Sequence, residues 1–235
     1  MRVLRGRCSD HVTDHERTRR LAEAVADSRV PALRVWRPRR QIAFGRRDAR
    51  SVGYDRARET AREQGYAVLE RQVGGRAVAY TGTTVALALA TPIDDVREGI
   101  QRRYDDASEQ LTSALATLGV DATEGEPPNS FCPGSHSLQA DGKLVGIAQR
   151  VRQGVAVVAA VVLVADHDEI AAVLDPIYGE LGTPFDPDSV GSIARAGGTT
   201  DPDAVIDAVV DAFVGDRDIT VEHVTADDGA RLRDT

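Results

Sequence analysis

Two cysteines and one lysine are the side chains of this sequence most suited to covalent chemistry. Cys132 lies in segment 131–135, Phe-Cys-Pro-Gly-Ser, and Pro-Gly after a cysteine predicts a sharp polar turn rather than a hydrophobic core. A cysteine reacts as its thiolate, which a nearby cation or backbone dipoles stabilise. His136 and Lys143 are the candidate cations. Cys132 is therefore a candidate nucleophile. The alternative is a buried, inert thiol, which is our interpretation of Cys8 in its N-terminal strand.

Lys143 is the only lysine in the chain, against 28 arginines. Coding bias can replace lysine by arginine generally, but it does not explain why one lysine is kept. The lysine ammonium is a compact point charge, whereas the arginine guanidinium is planar and permanently charged. The exception therefore indicates a position that needs an amine, with chance retention as the alternative. The Asp-Gly turn at 141–142 predicts a hairpin that folds Lys143 back towards Cys132.

A glycine pair stands in segment 71–78, Arg-Gln-Val-Gly-Gly-Arg-Ala-Val. Between two strands, paired glycines let the backbone approach a ligand and direct its N–H groups inward. Arg71 and Arg76 could hold an anion or a carbonyl group. A glycine turn with solvated arginines explains the same residues, so this motif alone is a weak signal.

The hydrophobic pattern indicates an α+β fold, with a mixed or antiparallel central sheet flanked by helices. Strands are predicted at 2–6, 32–36, 41–44, 66–71, 137–140, 143–150, 155–164 and 219–223, with a hairpin of 77–80 and 83–90 around Gly82. Helices are predicted at 14–28 with Asp14 as the cap, 54–64, 95–118, 169–174, near 187–194 and at 202–214. We find no clean linker and expect one domain over residues 1–235, with residues 170–235 the least certain.

Composition excludes several classes of protein. The net charge is −8, with 25 Asp and 12 Glu, whereas a nucleic-acid-binding protein usually carries a basic stripe. No apolar run reaches the roughly 18 residues of a membrane span, and the N-terminus lacks a signal-peptide pattern. The cysteines and histidines lack metal-ligand spacing, and we expect His11 and His15 to be surface residues. A cytoplasmic protein without metal, membrane or nucleic-acid partners is expected, and its Asp-rich, Lys-poor composition suits a halophilic cytoplasm.

Two segments together resemble the catalytic domain shared by lipoate-protein ligases, octanoyltransferases and biotin ligases. The first is Arg71-x-x-Gly74-Gly75-x-Ala77-Val78. The second, Lys143-x-x-Gly146-x-Ala148-Gln149-Arg150, is similar to the family segment that carries the catalytic lysine. Residues 40–45 also resemble an early strand of that domain. The resemblance covers residues 15–165, and it implies the same type of fold.

Residues 130–134 resemble the cysteine-dependent octanoyltransferases, most closely the amidotransferase that moves octanoyl from the glycine cleavage H protein to 2-oxoacid dehydrogenase E2 lipoyl domains. This resemblance implies that Cys132 forms an acyl thioester and that Lys143 stabilises its thiolate. No cofactor is required, and the lipoyl or octanoyl group is the substrate. The residues expected to bind it are Arg71, Val73, Gly74, Gly75, Arg76, Ala77, Val78, Gly146, Ile147 and Ala148.

Three alternatives stay open at this point. An ATP-dependent ligase would use ATP and Mg²⁺ to convert free lipoate into lipoyl-AMP. Arg76 also resembles the octanoyltransferases that take octanoate from acyl carrier protein, so the donor is open. A non-catalytic module that binds acyl carriers is the third alternative, and it requires Cys132 to be buried and inert.

Cys132→Ala should abolish acyl transfer and leave the fold intact, because it removes the atom that carries the acyl group. Cys8→Ala is the matched control, and it should transfer at nearly the wild-type rate. The measurement is lipoylation of an acceptor domain. Transfer by Cys132→Ala at the wild-type rate would contradict the cysteine mechanism.

Overall fold

The computed structural model of this protein describes residues 1–71 and 75–225. Helices α1 to α5 span His11–Ser28, Tyr54–Glu63, Ile100–Thr117, His167–Glu180 and Pro202–Val214. Strands β1 to β11 span Arg2–Gly6, Ala32–Trp36, Gln41–Phe44, Ala67–Glu70, Val78–Tyr80, Val85–Pro92, Thr123–Glu124, Ser137–Gln139, Lys143–Arg152, Val155–Val162 and Thr220–Val224. Short 3₁₀ turns lie at Asp48–Arg50 and Pro187–Ser189. Within the described residues, no helix is long and apolar enough to cross a bilayer.

Two sheets organise the chain. Eight strands form a mixed sheet in the order β11-β1-β2-β6-β10-β9-β8-β7, in which β11, β1 and β2 are parallel and the other pairs are antiparallel. A smaller sheet has the order β4-β3-β5. The main core lies between the large sheet and helices α3 and α5, and a second core joins the small sheet to α2 and α4. This architecture confirms the predicted mixed sheet flanked by helices.

The predicted hairpin at 77–90 is wrong. Strand β5 pairs with β3 in the small sheet, whereas β6 lies between β2 and β10 in the large one. A corner of hydroxyl side chains separates them, in which the Thr81 N–H donates to Thr84 Oγ1 at 3.0 Å. The alternating pattern on both sides of Gly82 therefore marks a crossing between two sheets.

Several helix boundaries differ from the predictions. Helix α1 begins at His11 because the Asp10 side chain accepts the Thr13 N–H at 2.9 Å, and Asp14 is not its cap. Helix α3 begins at Ile100 rather than residue 95, after Gly99 in a left-handed conformation (φ 67°). The predicted helix near 187–194 is only a 3₁₀ turn, whereas α4 runs on to Glu180 and so includes Tyr178.

A buried ion pair fixes α1 against the large sheet. The fully buried Arg34 on β2 pairs with the Asp14 carboxylate and donates to the Asp14 carbonyl at 2.6 Å. It also donates to Thr18 Oγ1 at 2.8 Å, and its guanidinium lies 4.2 Å from the centre of the Trp36 ring. Four contacts from three residues compensate the burial of the guanidinium, and Asp14 is therefore structural rather than a cap.

Asp14→Ala should lower the free energy of unfolding by about 3–5 kcal/mol, because it leaves a buried guanidinium without its counter-charge. Asp27→Ala, on the exposed side of the same helix, should change it by less than about 0.5 kcal/mol. Chemical denaturation of both variants measures the difference. Equal losses in the two would show that the buried pair does not hold α1.

Candidate active site

Cys132 occupies a strained backbone position that two partners hold. Its φ is 41°, in the left-handed region that non-glycine residues rarely adopt. Its N–H donates to the Tyr178 hydroxyl at 2.6 Å, and that hydroxyl donates in turn to the Ala77 carbonyl at 3.0 Å. Burial raises the pKa of Tyr178 well above its usual value, so the phenol stays a neutral donor. Helix α4 thereby ties the cysteine loop to the end of the glycine segment.

The sulfur of Cys132 lies against that glycine segment. The Arg76 N–H points at Sγ from 3.3 Å, and Arg71 Nη2 lies 3.9 Å from Sγ. Gly75 has a φ of 90°, and a Cβ at this position would stand 2.8 Å from Sγ. A side chain there is therefore excluded both by backbone strain and by the sulfur itself.

Arg71 and Arg76 fix the loop in different ways. Arg71 Nη2 also donates to the Arg76 carbonyl at 2.6 Å. The Arg76 guanidinium lies 3.4 Å from Asp48 Oδ1, and the fully buried Asp48 accepts the Gly45 N–H at 2.9 Å. Burial raises the pKa of Asp48 against the opposing effect of these bonds. The Arg76 side chain thus pairs with Asp48, while its main-chain N–H is directed at the sulfur.

Lys143 is buried, with a side-chain exposure of 1%. Its Nζ donates to Glu126 Oε2 at 2.6 Å, to the Cys132 carbonyl at 2.9 Å and to the Phe131 carbonyl at 3.0 Å. An ammonium group has three N–H donors, and these three acceptors use all of them. The structure therefore brings Lys143 to the main chain of Cys132, and no hydrogen bond among the described residues joins its amine to Sγ.

Glu126 is a site residue that the sequence prediction missed. Besides Lys143, it accepts the Ser137 hydroxyl at 2.8 Å and the Gly134 N–H at 3.0 Å. Burial raises the pKa of Glu126, but the bonds from Lys143, Ser137 and Gly134 outweigh it and the net pKa is lowered. Glu126 stands in a Pro-rich loop beside another glutamate, Glu124, and no local pattern distinguishes the two.

The turn before Lys143 rests on a distant segment. The strands β8 and β9 form the predicted hairpin around 141–142. A Cβ on Gly142 would stand 2.6 Å from the Gly191 nitrogen, and the Gly191 N–H donates to the Lys143 carbonyl at 3.0 Å. The close contact between these two glycines therefore holds the first residue of β9, Lys143, in place.

An elongated cavity of 340 Å³ opens beside Cys132. The cross-strand register puts small side chains in rows along one face of the large sheet: Ala86, Val161 and Gly146 in one row, and Ala88, Ala159 and Ala148 in the next. Ala43, Leu69 and Val78 of the small sheet also line the cavity. We call this apolar part the apolar groove, since its small residues leave room for an apolar ligand.

The predicted site residues fall into three groups. Arg71, Val78, Gly146, Ile147 and Ala148 line the cavity, although Ile147 is also part of the core beneath α3. Gly75 and Arg76 contact the sulfur, as described above, and the buried Ala77 contributes its carbonyl. Val73 and Gly74 lie outside the described residues.

The remaining predictions concern Cys8 and two histidines. Cys8 is fully buried, as predicted, and burial raises the pKa of its thiol. His11 and His15 were predicted to be surface residues: His15 is exposed and His11 half-buried, and both line the cavity from helix α1. Their role as a cavity wall follows from the placement of α1 by the Arg34–Asp14 pair.

A family model for the lipoyl protein ligase A/B catalytic domain matches residues 13–214. The chain belongs to this family. It is 33% identical over 140 residues to an octanoyl-[GcvH]:protein N-octanoyltransferase of Geobacillus kaustophilus, a match covering 58% of this chain and 50% of the relative. It is 30% identical over 151 residues to a lipoyl-[GcvH]:protein N-lipoyltransferase of Listeria monocytogenes, covering 62% of this chain and 52% of that one. The matches thus span about half the length of these relatives.

Solved structures share the fold of this family member. A lipoate-protein ligase A bound with ATP superposes with a TM-score of 0.72 at 22% identity, over 98% of this chain and 92% of that one. A bi-partite lipoate protein ligase from Thermoplasma acidophilum gives a TM-score of 0.68 at 21% identity, over 98% and 90%. At these identities the likeness shows the fold alone.

Gly75→Ala should lower acyl transfer by about 100-fold, because displacing the reacting sulfur by even about 1 Å misaligns it. Gly82→Ala, where an added Cβ meets nothing within 4 Å, is the matched control and should keep its activity. The steady-state transfer rate of both variants is the measurement. A fully active Gly75→Ala would show that the sulfur does not depend on this close approach.

Glu126→Gln should destabilise the protein at neutral pH by about 2 kcal/mol, since it removes the charge that Lys143 contacts. The lowered pKa of Glu126 adds stability that is fully present above its unfolded value of 4.5 and is lost as pH falls through the folded value. The difference between wild type and variant should therefore shrink on acidification. Denaturation at several pH values measures it, with the exposed Glu124→Gln as the control. A constant difference would contradict the prediction.

Proposed function

We propose that this chain is a protein acyltransferase that attaches an octanoyl or lipoyl group to a lysine of a lipoyl carrier domain. The observation that carries the proposal is the placement of Cys132 Sγ beside an apolar groove, with the Arg76 N–H directed at it from 3.3 Å. The names of the relatives, which are octanoyl- and lipoyl-[GcvH]:protein transferases, support the same activity.

In the first step the Cys132 thiolate attacks the carbonyl carbon of the donor acyl group. A C–S bond forms, the bond to the donor's leaving atom breaks, and that atom takes up the equivalent of the proton that the Cys132 thiol released on ionising. The product is an acyl thioester on Cys132, with the acyl chain in the apolar groove. Main-chain N–H groups stabilise negative charge near a reacting sulfur without reorganising, and the Arg76 N–H has that position.

In the second step the ε-amine of the acceptor lysine attacks the thioester carbonyl. A C–N bond forms, the C–S bond breaks, the amine loses a proton and the Cys132 thiolate is regenerated. No cofactor is consumed, because the acyl group moves between two nucleophiles. The chemistry thus requires a thiol that is open to a carrier protein, and Cys132 is only partly buried.

The donor and acceptor follow from the same proposal. An octanoylated or lipoylated glycine cleavage H protein is the preferred donor, with acyl carrier protein as the other candidate, and E2 lipoyl domains are the acceptors. The enzyme would act as one domain in the cytoplasm, and its acidic composition fits a halophilic cell. The cavity of 340 Å³ lies within the range of about 300–1,000 Å³ that is usual for small-molecule sites.

An ATP-dependent ligase is the second candidate, and one feature of the cavity favours it. Arg39, Arg150 and Arg152 also line the cavity, the last two on β9 well beyond Lys143, and guanidinium groups suit phosphate oxygens. These arginines would hold the phosphates of ATP, which activates the acid as an acyl adenylate (lipoyl-AMP) with loss of pyrophosphate, and Mg²⁺ would bind with the nucleotide.

Intact-mass spectrometry after incubation with octanoylated H protein distinguishes the two candidates. For the transferase we expect an octanoyl adduct on wild type and on Cys8→Ala without ATP, none on Cys132→Ala, and chase of the adduct onto an E2 lipoyl domain. An arm with octanoylated acyl carrier protein identifies the donor. Lipoylation that needs ATP and free lipoate, with no adduct on Cys132, would contradict the transferase and support the ligase.

A further inference from the structure

We propose that Tyr80 is a further catalytic residue, whose hydroxyl donates a hydrogen bond to the acyl oxygen while a nucleophile adds to the acyl carbonyl. This role rests on the proposed function, in which Cys132 carries the acyl group. Lys143 keeps the role that the family resemblance implies for it. Two features of Tyr80 lead to the proposal: the face of the strand on which it lies, and a hydroxyl that makes no hydrogen bond within the described residues.

Strand β5 places Tyr80 on the wall of the cavity. In the antiparallel pair of β5 and β3, Tyr80 stands opposite Gln41, and Val78 stands opposite Ala43. Residues directly opposite each other in such a pair lie on the same face of the sheet, and all four of these residues line the cavity. The Tyr80 side chain therefore faces the same cavity as Cys132.

The Tyr80 hydroxyl makes no hydrogen bond in the described part of the chain, although the residue is only 8% exposed. Buried hydroxyl groups normally have a partner. Tyr178, the other tyrosine beside the cysteine, uses its hydroxyl twice, for the Cys132 N–H and the Ala77 carbonyl. The structure thus leaves the hydroxyl of Tyr80, unlike that of Tyr178, available to a ligand.

Gln41, which faces Tyr80 across the two strands, supports a polar ligand at this wall. It is also 8% exposed, and its Oε1 is buried without a hydrogen-bond partner among the described residues. One unused donor and one unused acceptor therefore stand on the same face of the small sheet. Such a pair suits the polar end of an acyl substrate, whereas the alanines and valines of the apolar groove suit its hydrocarbon chain.

Tyr80 lies within electrostatic range of the reacting sulfur. It interacts with Cys132 and with the guanidinium of Arg71, whose Nη2 is 3.9 Å from Sγ. Burial raises the pKa of Tyr80, Arg71 lowers it and Cys132 raises it again, so that the net pKa is raised. The phenol therefore stays neutral at neutral pH and can donate its hydrogen bond without giving up its proton.

The acyl oxygen is the atom that needs such a donor. When the Cys132 thiolate adds to the carbonyl carbon, a C–S bond forms and the π electron pair of the carbonyl moves to the oxygen, which becomes negative. The pair returns when the leaving group departs, and the acceptor amine repeats this cycle on the thioester. The Arg76 N–H is directed at the sulfur, and the Tyr80 hydroxyl offers a donor for the oxygen, which stabilises the negative charge in both steps.

Tyr80→Phe removes the donor and keeps the ring. Octanoyl transfer from the H protein to an E2 lipoyl domain should lose about 100-fold in kcat, as expected for one lost oxyanion donor, with a KM that changes by less than about twofold. The Tm should stay the same, because the removed hydroxyl has no partner. Tyr66→Phe is the matched control: it removes a hydroxyl that donates to Glu169 at 2.7 Å outside the site, so it should lower the Tm and keep the transfer rate.

Two further measurements separate this role from formation of the thiolate. In a Cys8→Ala background, the pH profile of Cys132 alkylation by iodoacetamide should be the same with and without Tyr80→Phe, because alkylation creates no oxyanion. Acylation of Cys132 by 4-nitrophenyl octanoate does create one. The burst of nitrophenol should therefore be slower in Tyr80→Phe by about tenfold or more.

A wild-type kcat or a wild-type burst rate in Tyr80→Phe would overturn the assignment. An alkylation profile that moves, or a variant that unfolds, would also overturn it, because the hydroxyl would then act on the thiol or on the fold. The burst needs no carrier protein. A normal burst in the wild type without transfer to a lipoyl domain would count against the proposed function, while the burst rate of Tyr80→Phe would still decide the role of Tyr80.

Discussion

The Tyr178 hydroxyl makes the link on which the site depends. It accepts the Cys132 N–H and donates to the Ala77 carbonyl, so one oxygen joins the cysteine loop to the segment that surrounds the sulfur. Neither loop forms a helix or a strand. The Tyr178 phenol is fully buried and therefore cannot exchange its hydrogen-bond partners with water. The position of the Cys132 sulfur therefore depends on helix α4 and on the core beneath it.

The cavity depends on the separation of the two sheets. The large sheet presents Ala86 and Ala88 of β6, Gly146 and Ala148 of β9, and Ala159 with its neighbouring valines of β10, and the small sheet adds Ala43, Leu69 and Val78. Each strand buries its other face under α3 and α5. The alternation along each strand thus directs one set of side chains into the core and the other set into the cavity wall.

The sequence predicted the parts of the fold that depend on local patterns. Strands β2 and β3, helix α5 and the hairpin around residues 141–142 are at the predicted positions, since periodicity, a proline at the first position of a helix and an Asp-Gly turn are local signals. The crossing at residues 81–84 was misread as a hairpin, because alternation does not reveal which sheet a strand joins. Glu126 and Tyr178 were missed for a related reason: each acts through a partner that is distant in the chain. Candidate nucleophiles can be predicted from a motif, but the partners of each donor cannot.

The contact between Gly142 and Gly191 constrains a segment with little regular structure of its own. The chain around Val190 runs beside Lys143 as an isolated bridge, and the two glycines leave no room between the backbones. Any side chain at position 191 would separate them and displace the start of strand β9. Residues around this contact can therefore be replaced, but positions 142 and 191 must stay glycine and the distance between the two backbones must stay the same.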